Sequence, residues 1–251
     1  GEAMGGYLEH VAPMAESPPG GLLDAQELSI LNAIGNVYVA YSHLGGGAKQ
    51  LNLAVKAYSQ AEKKVAKEAQ PLVWASIQNH LAAVLQTQGQ MKKDPKAMRQ
   101  AAVIYSTIGA TLSETASPHE WGAAHANLGR TLYILAGLEG KPEYLKRAGG
   151  AYEAALKACD KNINPGRWAE VTNQYGVVLL AFGEETGVDT VLEKAVSRFR
   201  DAMKVHKRDK SPILWAQTAN NLGAACFALA KRNSQNSLLR EASDCFEGAT
   251  E

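Results

Sequence analysis

Apolar and small residues recur along this chain in two alternating stripes. One reads Trp74, Leu81, Ala82 and Leu85; the next reads Met98, Ala101, Tyr105 and Ile108, and its offsets return as Leu192, Ala195, Phe199 and Ala202. Steps of three, four and seven place side chains on one face of a 3.6-residue helix, and no stretch alternates with period two. The pattern predicts an all-α chain in which two kinds of amphipathic helix follow each other.

The stripes repeat. Trp74, Trp121, Trp168 and Trp215 stand 47 residues apart, each three residues after a proline (Pro71, Pro118, Pro165, Pro212). At the same period fall Gly35, Gly129, Gly176 and Gly223, with Ala82 in the gap, each preceded by Ile34, Leu81, Leu128, Tyr175 or Leu222. An unbroken alanine column (Ala54, Ala101, Ala148, Ala195, Ala242) is followed four residues later by Tyr58, Tyr105, Tyr152, Phe199 and Phe246. Columns that share one period mark a repeat architecture. The expected units are about 24–70, 71–117, 118–164, 165–211 and 212–251, the last one cut short, within an array spanning 22–251. The segment 1–21, with Pro18-Pro19-Gly20-Gly21, reads as a linker tail whose Tyr7, Leu8 and Val11 could dock on the first repeat.

Helix boundaries are written locally. Ser117-Pro118, Asn164-Pro165 and Ser211-Pro212 put a capping side chain ahead of a proline suited to the first helical position. Asp94-Pro95 opens a second helix in the same way, and Ser117 with Glu120 has capping-box spacing. Gly45-Gly46-Gly47, Gly89, Gly137 to Gly140 and Gly183 are expected between paired helices. Each tryptophan falls in the first turn of a first helix, where it would cover the junction with the preceding repeat; an indole buried there contributes roughly 2–3 kcal/mol.

These columns resemble the tetratricopeptide repeat superfamily. Leu128-Gly129 with Leu132, then Ala148, Tyr152 and Ala155, closing at Pro165, match its small-residue, aromatic and proline positions. The period departs from the family's, about 34 residues, so the helices or the turns must be longer. The resemblance covers about residues 22–251 and implies a right-handed α-solenoid of about five helix-turn-helix repeats, whose first helices line a concave groove. It also implies binding of a partner protein. The family's Lys/Arg/Asn clamp for acidic C-termini is missing: the matching positions carry Asn32 and Asn36, then His80, then Ala123 and Asn127.

Groove residues follow from the wheel. With the aliphatic–glycine pair taken as inward, the position three before the glycine is read as pointing away. That column holds Asn32, Asn79, Ala126, Asn173 and Asn220, flanked by His80, Asn127, Gln174 and Asn221. Asparagine has no helix-propensity advantage, yet it offers a donor and an acceptor to an extended backbone. The expected partner-binding set is this ladder with Asn36, Arg130 and Tyr133. The competing reading is that each asparagine bonds a neighbouring helix and sets repeat spacing.

Composition removes other classes. Net charge is +1, which gives no bulk attraction to nucleic acid or an anionic membrane surface. Apolar runs such as Val177 to Phe182 are too short to span a bilayer. No signal peptide is visible, although Gly1-Glu2-Ala3-Met4 reads as a cloning remnant ahead of which a leader could have been trimmed. Three cysteines without paired spacing suit a reducing, cytoplasmic setting; Cys159 and Cys226 fall in apolar columns. His119 and His125 lack metal-ligand spacing, Gly45 to Lys49 lacks that of a phosphate-binding loop, and no catalytic constellation stands out. Lys204, His206, Lys207, Arg208 and Lys210 form a basic knot, read as a solvated helix end that Glu184, Glu185 and Asp189 could neutralise. The expectation is a non-catalytic interaction scaffold without cofactor or metal. A partner's extended or helical segment would occupy the groove, and the truncated last repeat offers a face for a second copy. A regulatory array cut from a larger multidomain enzyme or effector is the alternative.

Overall fold

A computed structural model describes residues 24–42 and 47–250; the expected tail with Tyr7, Leu8 and Val11, together with Gly45 and Gly46, lies outside the described residues. Ten helices are described: α1 Asp24–Tyr41, α2 Gly47–Glu62, α3 Pro71–Lys92, α4 Pro95–Thr111, α5 Pro118–Glu139, α6 Glu143–Lys157, α7 Pro165–Thr186, α8 Asp189–Met203, α9 Pro212–Asn233 and α10 Asn236–Thr250. No strand occurs among the described residues. The chain is all-α and built of helix-turn-helix repeats. Two compact units divide it near Glu120, the first holding α1–α4 and the second α5–α10. Within each unit successive helices pack on one another in chain order.

The long period is explained by helix length. The fully described first helices have 22 residues and the second helices 15 to 17. Each of these first helices begins at the column proline. Each ends one residue before a left-handed position at the same place in the repeat: Lys93, Gly140, Gly187 and Ser234, with φ of 50°, 63°, 67° and 55°. A left-handed residue there turns the chain into the second helix.

Pairing rests on a close approach. A Cβ added to Gly35, Gly129, Gly176 or Gly223 would lie 2.5–2.8 Å from the ring of Tyr58, Tyr152, Phe199 or Phe246 respectively. In these four repeats the aromatic of the second helix lies against bare backbone of the first, where glycine leaves the room; the repeat of α3 and α4 has Ala82 at that position. Gly89 and Gly183 do the same job for Met98 and Leu192, at 2.7 and 2.6 Å. These two were expected in turns. They sit inside α3 and α7 because a packing requirement, not a chain reversal, selects them.

The caps divide. Asp94 accepts from the Lys96 amide at 2.8 Å and Asn164 from that of Arg167 at 3.0 Å. Ser117 and Ser211 instead donate backwards, to the carbonyls of Ser113 and Lys207 at 3.2 and 3.3 Å. A hydroxyl can donate, so the preceding turn's carbonyl competes for it.

The tryptophans also differ from expectation. Trp74 is buried, while Trp121, Trp168 and Trp215 are half-buried. Three indoles are roofed by a cation seven residues earlier, in the turn that leads into the helix: Lys67 at 4.8 Å over Trp74, Lys161 at 4.5 Å over Trp168, Arg208 at 5.2 Å over Trp215. These positions are again 47 residues apart or a multiple of it. Glu114 holds that place ahead of Trp121, which stacks on His125 with ring centroids 4.3 Å apart. Each roof is worth about 0.5–1 kcal/mol at an exposed site.

Unequal burial sets the expected stability losses. Trp74→Ala should cost about 3–5 kcal/mol in urea unfolding. Trp168→Ala, which removes a half-exposed ring and its lysine contact, should cost about half as much. Equal losses would mean that both rings do the same packing work.

Candidate functional site

The first helices carry the residues selected from sequence, and the structure sorts them into three groups. Two rungs of the ladder stitch neighbouring first helices together. Asn32 on α1 lies 3.2 Å from the Nδ1 of His80 on α3. In the second unit Asn221 on α9 donates to Asn173 on α7 at 3.3 Å. Both bonds join residues 48 apart, one repeat plus one position, so they are the same rung in different repeats. Asn173 and Ala126 are buried, Asn79 is half-buried, and Asn220 is exposed. The column therefore flanks the inward face instead of opposing it. Three residues turn a helix by about 300°, which leaves the column only about 60° from the glycine. The inter-repeat bonds favour the spacing reading for Asn32 and Asn173. Asn36 is engaged within its own repeat, accepting from the Tyr58 hydroxyl at 2.7 Å. Burial raises the pKa of that hydroxyl to about 12.

The second group converges. Asn127 and Arg130 on α5 and Gln174 on α7 line one cleft with Arg167, Glu170 and the ring of Tyr152. Arg130 and Gln174 are exposed. Arg167 pairs with Glu170 at 3.0 Å one helical turn along. Burial holds the Tyr152 hydroxyl protonated well above its ordinary range, and Arg130 works against that shift. The cleft so offers amide, guanidinium, carboxylate and phenol groups, all able to bond a peptide backbone and polar side chains. Arg167 and Glu170 were missed in the sequence because their columns, holding Val73 and Leu214 or Ser76 and Gln217 elsewhere, show no recurring type.

Tyr133 stands apart from that group, lining a larger cleft of about 550 Å³ with Lys141, Leu145, Ala181, Glu184 and Glu185.

Lys204, Lys207, Arg208 and Lys210 of the basic knot are exposed where α8 ends, whereas His206 departs from the solvated reading. Lys204 pairs with Asp201 at 2.7 Å, Arg208 roofs Trp215, and His206 is buried. Its supposed acidic partners are elsewhere: Glu184 and Glu185 end α7, and Asp189 opens α8 and pairs with Arg232. Cys226 is buried, Cys159 is half-buried, and burial pushes both thiols above the usual range. Among the described residues no three of His, Cys, Asp and Glu are placed to hold a metal ion. No described helix is long and apolar enough to cross a membrane.

Neither a protein-family model nor a curated protein sequence matches the chain. Among solved structures it is similar to the crystal structure of BtubC (BKLC) from P. vanneervenii. The TM-score is 0.55 at 19% identity, over 97% of this chain and 88% of that one. Lower similarity extends to the DHF58 filament (TM-score 0.27, 14% identity, 90% and 92% covered). It extends also to the de novo designed helical repeat protein DHR64 (TM-score 0.21, 16% identity, 90% and 93% covered). The first likeness supports a helical-repeat fold and nothing finer.

His206 carries the clearest pH dependence. Thr218 donates its hydroxyl proton to the Leu214 carbonyl at 2.7 Å, so it must accept from Nδ1–H of His206, 2.8 Å away. Nε2 is buried without a partner, and burial lowers the pKa. In the corresponding columns the other repeats carry Val65 with Ile77, Leu112 with Ala124, and Cys159 with Val171.

Two outcomes are expected. Asn173→Ala should lower stability by about 1 kcal/mol in urea unfolding because Asn221 loses its acceptor, whereas Asn220→Ala should be neutral. Above an unfolded pKa of about 6.5 His206 is neutral in both states and adds no pH dependence. As pH falls below that value, the unfolded chain takes up a proton that the folded one resists, so stability declines. The drop in Tm between pH 7.5 and 5 should shrink in His206→Leu/Thr218→Val; an unchanged drop would assign it to other groups, His80 among them, whose pKa burial also lowers.

Proposed function

We propose that the chain is a tetratricopeptide-type, non-catalytic scaffold that binds an extended or helical segment of a partner protein on its first helices. The observation that carries the reading is the meeting of Asn127, Arg130 and Gln174 in one cleft between α5 and α7. Three residues chosen for peptide contacts, from two repeats, face one opening with Arg167 and Glu170. Support for the family comes from the signature positions themselves. Gly129 of α5 takes the ring of Tyr152 of α6 at 2.7 Å, the small-residue and aromatic pair that defines the motif. The longer period is absorbed by longer helices without altering that contact.

Binding is assigned to the second unit's first-helix face, and the asparagine rungs Asn32–His80 and Asn173–Asn221 become the spacers that hold first helices in register. Neither nucleic acid nor membrane is part of the reading, because the charge is balanced and the cleft mixes both signs. Three free thiols agree with a reducing, cytoplasmic setting.

Capture from native lysate on immobilised wild-type chain and on Arg130→Glu/Gln174→Ala, once the two are shown to melt alike, tests the assignment. A partner held by the wild type and at least about tenfold weaker on the variant is expected, as for loss of a charged hydrogen-bonding group. Equal retention would move the site away from this cleft.

A further inference from the structure

Two polar clefts of the second unit occupy the same place in successive repeats with opposite charge. The cleft between α7, α8 and α9, about 460 Å³, is lined by Glu184, Leu192, Ala228, Lys231 and Arg232. Moving each residue back by 47 gives Gly137, Leu145, Ala181, Glu184 and Glu185, and every one of these lines the 550 Å³ cleft between α5, α6 and α7. The location is the same and the lining has inverted. Lys231 and Arg232 in one repeat are Glu184 and Glu185 in the repeat before.

In the later cleft the cation is supplied by the protein itself. Arg232 donates through Nε to the Asp189 carboxylate and through Nη2 to the Gly187 carbonyl at 2.5 Å, fastening the end of α9 to the turn between α7 and α8. Gly187 is left-handed at φ 67°. One repeat earlier Gly140 keeps that conformation at φ 63°, so the turn that receives the guanidinium is retained. What is gone is the guanidinium together with the Asp189 carboxylate, whose place one repeat earlier is taken by Pro142. In its place two carboxylates at the end of α7 stand exposed on the rim, with no ion pair to either. Lys141, the one cation in the lining, is held by Glu139 at 3.0 Å, while Glu184 also faces the later cleft with Lys231 and Arg232. The floor is apolar, with Ile134, Ala136, Leu145 and Ala181, and Tyr133 adds an aromatic ring to the wall.

We infer that the α5–α6–α7 cleft is a receptor for an arginine side chain of the bound partner segment. The guanidinium would sit between the turn at Gly140 and the carboxylates of Glu184 and Glu185, as Arg232 sits on its own turn one repeat later. The floor suits the methylene stem, which arginine buries while its head stays on polar groups. A planar fork with several donors suits a carbonyl and carboxylates together better than an ammonium does. The inference rests on the scaffold reading for the source of that arginine, and it assigns the partner a basic position.

The test uses the ¹⁵N-labelled full chain titrated with N-acetyl-glycyl-arginine amide and with the citrulline equivalent, which keeps the shape and loses the charge. Saturable shifts are expected at the amides of Gly137, Gly140 and Glu185 with arginine and not with citrulline. Glu184→Gln/Glu185→Gln should weaken binding by roughly tenfold or more. Glu185→Arg should abolish it and raise Tm, because the new side chain can reach the Gly140 carbonyl as Arg232 reaches that of Gly187. No saturable shift, equal shifts with citrulline, or equal affinity in the Glu184→Gln/Glu185→Gln variant would overturn the inference. A probe seated in the cleft alongside equal lysate capture by the Arg130 variant would remove the assignment of the Asn127–Arg130–Gln174 cleft alone. Capture lost in that variant with an empty cleft would remove the arginine receptor alone.

Discussion

The structure depends on how closely an aromatic ring can approach a helix backbone. Glycine in four of the five first helices leaves no Cβ, so Tyr58, Tyr152, Phe199 or Phe246 lies directly on the main chain; α3 has Ala82 there. That contact sets the separation of each pair, and a second small-to-large contact, Gly89 with Met98 or Gly183 with Leu192, repeats it near the turn. Two points of close approach on helices of 22 and 15 to 17 residues fix both distance and angle. Dense packing of this kind tolerates little change in volume. Variation is therefore pushed to the positions that lie between repeats.

Those positions are where the repeats stop resembling one another. The junction that carries Val65 and Ile77 early in the chain carries His206 and Thr218 late in it. The cleft lined by Lys231 and Arg232 at one junction is lined by Glu184 and Glu185 at the one before. Even the tryptophan roof changes, from a lysine or arginine to a histidine stacked on Trp121. Function in such a chain resides in departures from the pattern, and the pattern itself supplies a rigid set of places from which to depart.

Periodicity made the fold legible, because the contacts that build it recur at one spacing and a helix shows its buried stripe directly in sequence. Glycine was harder to interpret. Gly140 and Gly187 terminate helices while Gly89 and Gly183 sit inside them, and composition alone cannot separate a conformational need from a steric one. Asparagine was harder still. Asn173 was expected to face a partner and instead accepts from Asn221, since an angular error of a fraction of a turn exchanges an open face for a flank. The acidic cleft was invisible for another reason. Glu184 and Glu185 look like ordinary helix-end charges until they are set beside Lys231 and Arg232 in three dimensions.

From the second repeat on, each begins at a proline and carries its own left-handed turn, and the third to fifth carry their own glycine–aromatic lock. A cut at two such prolines releases a 47-residue cassette that holds both helices of a repeat, while the cation over its indole stays with the repeat before. Duplicating or deleting that cassette in frame would keep the 47-residue register across the new junction, while the side chains that meet there would differ. The chain could thus lengthen by copying before its copies diverged, and the inverted charges of neighbouring clefts record how far two such copies have since moved apart.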